Sequence, residues 1–183
     1  DSSTGDTARL HPGQQATPAS GALMGFGGRI KRNIADKHLS DCIRKAAEWK
    51  CQRCEKDYTD KPQGLQCSHF ISRGHWGSRY DPRQLSLCAY CHNFVEGHPV
   101  EHINLWKSIH GGDDADQAIE GMVELAACKG RAQYARNNVK AISAHYRAES
   151  KRLDDELERK AKGKEADLEV KGYIKRIKDI GDS

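Results

Sequence analysis

Two Cys-x-x-Cys pairs, Cys51-Gln-Arg-Cys54 and Cys88-Ala-Tyr-Cys91, stand 33 residues apart, with Cys67-Ser-His69 between them and His92 directly after the last cysteine. Four thiolates in two knuckles suffice to hold one zinc tetrahedrally, with no coordination position left open for chemistry. A metal held in this way is a structural staple that closes residues 55–87 into a loop. That loop contains His69, a candidate general base, and it is followed at once by His92, a candidate ligand for a second, catalytic metal. Cys42, Cys67 and Cys128 stand outside the pairs, giving seven cysteines in all. An odd count with two such pairs, in a chain with no visible signal peptide, points to metal rather than disulfides and so to a reducing cytoplasm. Cys67 reads as a strand residue facing the core, and Cys42 and Cys128 as buried apolar positions.

The chain has 183 residues, room for one modest domain with extensions. Hydrophobic residues make up 37% and charged residues 31%, so part of the chain is expected outside a compact core. A net charge of +4 and a pI near 8.6 permit nucleic-acid binding without demanding it. No stretch approaches the roughly 20 apolar residues that span a bilayer. The chain begins on Asp1, and Met24 is a candidate natural start. Residues 1–28 are rich in Gly, Pro, Ser, Thr and Gln and read as a disordered segment or a tag.

From Ala35 to Trp49, the spacing of Leu39, Cys42, Ile43, Ala46 and Ala47 predicts a helix. Eight Lys/Arg against three Asp/Glu between Arg29 and Arg53 make its polar face basic, which fits either a solvated surface or a DNA contact. Within the stapled region, Gln66–Phe70 and Gln84–Leu87 read as strands, residues 71–83 as a loop, and Cys91 to Glu96 as the start of a helix. Beyond Pro99 the chain reads as helical. One stripe contains Val100, Ile103, Trp106 and Ile109, and Gly111-Gly112 breaks it. A second stripe contains Ile119, Met122, Val123 and Ala126 and ends near Gly130. Asn137 or Asn138 caps a third helix, in which Val139, Ile142, Tyr146, Leu153 and Leu157 fall near heptad spacing. That helix is long for a small core and is expected to project, to pair in a homodimer, or to lie along DNA. A last helix is expected over 165–180, carrying Leu168, Ile174 and Ile177. The fold class is therefore α+β: a small stapled strand–loop–strand–helix unit over 29–99, with its leading helix, and a mainly helical region over 100–183.

The order of a histidine closing one strand, a side-chain amide at the next strand and a histidine in the following helix resembles the HNH, or ββα-metal, endonucleases of the zinc-stapled type. The residues that carry the resemblance are Cys51–Cys54, Cys67-Ser-His-Phe70, Arg79-Tyr-Asp-Pro-Arg-Gln84 and Leu87-Cys-Ala-Tyr-Cys-His92. Ser40 to Arg44, the Trp-Lys-Cys knuckle and Ala144-His-Tyr-Arg147 narrow it to phage NinG-type recombination endonucleases, over roughly residues 35–157. The resemblance implies Mg²⁺- or Mn²⁺-dependent cleavage of DNA, branched or single-stranded, in the host cytoplasm. His69 would be the general base, His92 the metal ligand, and Gln84 the residue orienting His69. Gln84 stands where the family usually has asparagine, and Ser68 stands where many members have a metal ligand.

Arg73, His75, Arg79 and Arg83 share the loop before the second strand and are candidate phosphate contacts. Glu96 to His98 lie about a turn beyond His92 and are further candidates. The alternative function is a non-catalytic zinc-dependent DNA-binding module with a helical assembly tail. A protein-interaction zinc finger fits less well, because only one four-cysteine set is present.

Overall fold

Asn33 starts the ordered architecture in the computed structural model, which describes residues 30–173. Its side chain accepts the Asp36 backbone N–H at 3.1 Å, and the Asp36 carboxylate accepts the Asn33 N–H at 2.8 Å. This reciprocal capping box opens helix α1, Ile34–Ala46, one face of which buries Ala35, Leu39, Cys42 and Ile43. Beyond the helix, Glu48 and Trp49 both take left-handed backbone angles, φ 52° and 58°. They swing the chain into a short bridge between Lys50 and Asp57 that frames the first cysteine pair.

A 3₁₀ turn, Pro62–Gly64, leads into strand β1, Leu65–Ser68. It pairs antiparallel with β2, Leu85–Cys88, with Leu65 opposite Cys88 and Ser68 opposite Leu85. Helix α2, Ala89–Gly97, follows β2 without a gap, and α3 spans Pro99–His110. Gly111 ends α3 where a Cβ would stand 2.5 Å from the Lys107 carbonyl oxygen. Asp114 then caps α4, Ala115–Ala127, by accepting the Gln117 N–H at 2.9 Å. Helices α5, Lys129–Asn137, and α6, Val139–Ala161, complete an α+β arrangement with six α-helices and one two-stranded sheet among the described residues. None of the described helices is long and apolar enough to cross a membrane.

Two apolar clusters hold these elements. The first joins α1 to α6 through Leu39, Ile43, Ile142, Tyr146 and Leu153, with Tyr80 and Val170 at its edges. The second lies under the hairpin and gathers Leu65, Leu85, Leu87, Val95, Trp106 and Met122. The long helix therefore does not project: its first four turns cover α1. Burial of Tyr146, Ile142 and Leu153 supplies on the order of 1.5–3 kcal/mol each.

Two helical expectations change. Helix α5 was not foreseen, since its sequence is polar and only Arg131 and Ala135 are buried. The expected last helix is absent over 164–173, where the chain is irregular. Gly163, at φ 70°, ends α6. The segment is then held by Arg152, which donates to the carbonyls of Asp167 and Glu169, and by Glu149, which accepts the Lys171 N–H. The expectations for residues 1–28, Ile174 and Ile177 lie outside the described residues.

Candidate metal centre and histidine cleft

The Sγ atoms of Cys51, Cys54, Cys88 and Cys91 lie within 4.8 Å of one another, the one such group of possible metal ligands among the described residues. A metal–sulfur distance of about 2.3 Å places tetrahedral sulfurs roughly 3.8 Å apart, so these four could hold a metal such as zinc. Three interactions position them. Gln52 joins the first knuckle to β2, its N–H donating to the Ser86 carbonyl at 2.8 Å and its side-chain oxygen accepting the Ser86 N–H at 2.7 Å. The Cys88 N–H points at Cys51 Sγ, 3.3 Å away, and the Arg53 guanidinium donates to Cys91 Sγ at 3.7 Å. Donors aimed at sulfur favour the thiolate that a metal requires.

His69, directly after β1, and His92 on α2 line one cleft of about 770 Å³. The cleft continues into a neighbouring hollow that both histidines also line, together with Arg73, Glu96 and His102. His92 Nδ1 lies 3.5 Å from Glu96 Oε1, one helical turn on, and the Glu96 side chain is 65% exposed. An imidazole and a carboxylate at i and i+4 on an open helix face offer one nitrogen and one oxygen donor to a metal ion. Ser68 borders the same hollow but is only 2% exposed.

His69 is half-buried as a residue, yet its Nε2 is fully covered and has no hydrogen-bond partner. Burial, and then the positive charge of Arg73, push its pKa down to about 4, against a smaller upward effect of Asp36 and the Cys67 backbone. The ring is therefore neutral at pH 7, the form that accepts a proton. An unpartnered nitrogen in such a position is uncommon in structural histidines.

Gln84 makes no hydrogen bond to His69. It is 1% exposed, accepts the Phe70 N–H at 3.1 Å and donates to the Asp81 carbonyl at 2.9 Å. It thereby ties the end of the loop to the residue that follows His69, and it uses the extra methylene to span that gap. Trp106 completes the clamp from α3, stacking on Phe70 at 4.8 Å and donating to the Arg83 carbonyl at 2.8 Å.

The four expected phosphate contacts separate. Arg73 lines the cleft. Arg79 does not reach the surface: at 2% exposure it binds Asp36 through Nε and Nη2 at 2.9 and 2.6 Å and lies 4.4 Å from the Trp76 ring. Arg79, expected as a DNA contact, is instead turned inward, with three of its five N–H groups given to Asp36 and the Lys31 carbonyl. Arg83 folds back onto Asp81. His75 is exposed but lines a separate groove beside Arg136. Of Glu96 to His98, Glu96 reaches the hollow, whereas His98 stacks on Phe94 and hydrogen-bonds to its carbonyl.

Sequence reasoning missed His102, whose Nε2 is likewise buried and unpartnered, and whose ring meets Phe70 edge-on at 5.7 Å. It lies ten residues beyond His92 on a different helix, so no local spacing could associate the two. Comparison with known proteins finds no matching family model, curated protein or solved structure.

Proposed function

We propose that this protein is a metal-dependent DNA endonuclease that hydrolyses phosphodiester bonds, built on an HNH-type hairpin and helix stapled by zinc. The observation that carries the reading is the convergence of His69 and His92 on one cleft, with His92 directly following Cys91 of the four-cysteine centre. His69 takes a proton from the attacking water. The Cys67 backbone engages the ring, and Nε2 has no partner but is fully covered, so it would accept the proton once substrate binding opens a path to it. An approaching phosphate would raise the pKa of His69 by offsetting the charge of Arg73, bringing the base nearer its working range. His92 and Glu96 would hold a divalent ion, which supplies positive charge opposite the phosphate and the leaving 3′ oxygen. Arg73 binds the phosphate, and Gln84 acts through the backbone, fixing Phe70 and with it the direction of His69.

The test is nicking of supercoiled plasmid and of branched DNA with Mg²⁺ or Mn²⁺. His69→Ala should lower the rate by about 10²–10⁴, the usual contribution of a positioned base. His92→Ala should raise the metal concentration required. Wild-type protein that is inert with both metals on both substrates would overturn the proposal. Salt-sensitive DNA binding without cleavage, unchanged by His69→Ala, would favour the non-catalytic binding module, a reading supported by the burial of Ser68 and by Gln84 being committed to the backbone.

A further inference from the structure

The His69 cleft is not the only hollow that α1 borders. Ile34, 52% exposed at the start of that helix, lines both the cleft and a second groove of about 660 Å³ between α1 and α6. The two hollows share a wall, so one extended ligand can occupy both. We propose that the DNA backbone leaves the His69 cleft across the start of α1 and runs onto the first half of α6, where Lys140, Arg147 and Lys151 bind its phosphates. The identity of the polyanion rests on the endonuclease reading; the path rests on the charges and the shape.

Lys140, Arg147 and Lys151 line the second groove, and no carboxylate does. Their spacing of seven and then four residues places all three on one side of α6 along about 16 Å of axis, the rise of about five base pairs. All three are exposed, and none has a hydrogen-bond or ion-pair partner among the described residues. The contrast lies within the same pair of helices. Lys45, Arg152, Arg159 and Lys160, on or beside the same interface, are each paired with a carboxylate. From Val139 to Ala148, α6 contains no Asp or Glu at all. Lys140 even sits in the first turn, where the helix dipole disfavours a cation. The floor of the groove is rigid, since His38 on α1 lies 2.9 Å from the Ser143 carbonyl and 3.2 Å from its hydroxyl.

The cleft side continues the pattern. Arg32, Lys37 and Arg73 line it without ion-pair partners among the described residues. Its one carboxylate, Asp36, is 4% exposed and neutralised by Arg79. A route with unpaired cations on both sides of Ile34 and no free acid on the α6 side suits a phosphate backbone better than an acidic peptide, which would need apolar pockets for its side chains.

The experiment measures binding of the full-length, zinc-loaded protein to a linear DNA duplex, without added Mg²⁺ or Mn²⁺, as a function of salt. The triple variant Lys140→Gln, Arg147→Gln, Lys151→Gln should bind about tenfold or more weakly near physiological salt. The slope of log affinity against log salt should become shallower by about 2–3, close to one per lost phosphate contact. The control Lys160→Gln, Lys162→Gln, Lys164→Gln removes equal charge from the last turn of α6 and the residues just beyond it, and should stay within about twofold of wild type. Equal weakening in both variants would reduce the effect to net charge and overturn the path. So would a triple variant that binds like wild type while cleavage persists, a result that leaves the endonuclease reading standing. A selective loss of binding in a protein that never cleaves would support the path and sink the nuclease. Preference of the wild type for the equivalent RNA duplex would overturn the DNA assignment.

Discussion

His69 keeps its ring neutral by being covered, and that cover has a measurable cost in acid. Its folded pKa of about 4 lies below the ordinary value of 6.5. Between those values the unfolded chain takes up a proton and the folded chain does not. The stability is therefore present in full above pH 6.5 and is lost as pH falls toward 4. His102 and His110 are also pushed down by burial and act in the same direction. The His69→Gln variant should lose less of its urea midpoint between pH 7 and pH 5 than wild type does; equal losses would mean that the ring is solvated. Gln84 sets a second expectation at this scale. Asparagine is too short to reach both the Phe70 N–H and the Asp81 carbonyl, so Gln84→Asn should leave one buried backbone group unpaired. That costs about 1–3 kcal/mol in denaturant titrations, and DNA cleavage should fall rather than rise. A gain of cleavage would mean that the position acts directly on His69.

At the scale of elements, the join between α1 and the loop before β2 depends on one buried ion pair. Burial alone would raise the Asp36 pKa, but the Arg79 guanidinium and the Asn33 backbone outweigh it and hold the carboxyl below its ordinary value. Breaking such a pair from one side costs about 3–5 kcal/mol, whereas replacing both members by apolar residues is often neutral. Arg79→Ala should therefore lower the urea midpoint far more than Arg79→Met combined with Asp36→Leu, and similar losses for the two would assign Arg79 a role outside that pair. The elements also separate what the sequence disclosed from what it withheld. The cysteine pairs, both strands and α1 were legible because ligand spacing, alternation and three-to-four periodicity are local signals. The partners of Arg79 and α6 were not legible, because each is fixed by a residue brought close from far along the chain, and the backbone role of Gln84 was hidden by its place in the motif order. An arginine in a loop before a candidate scissile site looks the same in sequence whether it faces DNA or Asp36. Helix α5 was hidden by its polarity, and the expected last helix is absent over 164–173, where Arg152 takes the carbonyls of Asp167 and Glu169 that a helix would have used.

Across the whole molecule, the proposed zinc staple and the proposed catalytic ion predict two different chelation outcomes. Washing with a chelator that strips Mg²⁺ or Mn²⁺ but not a thiolate-bound ion should abolish cleavage and leave the melting temperature unchanged. A stronger zinc chelator should lower the melting temperature and alter the emission of Trp106, which is fully buried beneath the hairpin that the cysteines close. Loss of both properties at one chelator strength would argue for a single shared metal. The α1–α6 interface has a different consequence, one of time. Cys42 meets Tyr146 across 104 residues of chain, so α1 leaves the ribosome long before its cover does. At about 5–20 residues per second, its Leu39–Ile43 face waits on the order of 5–20 s for α6 to be made. The cysteine knuckles and hairpin are complete well before then, so the newborn chain can load its metal while half of its core is still open to water.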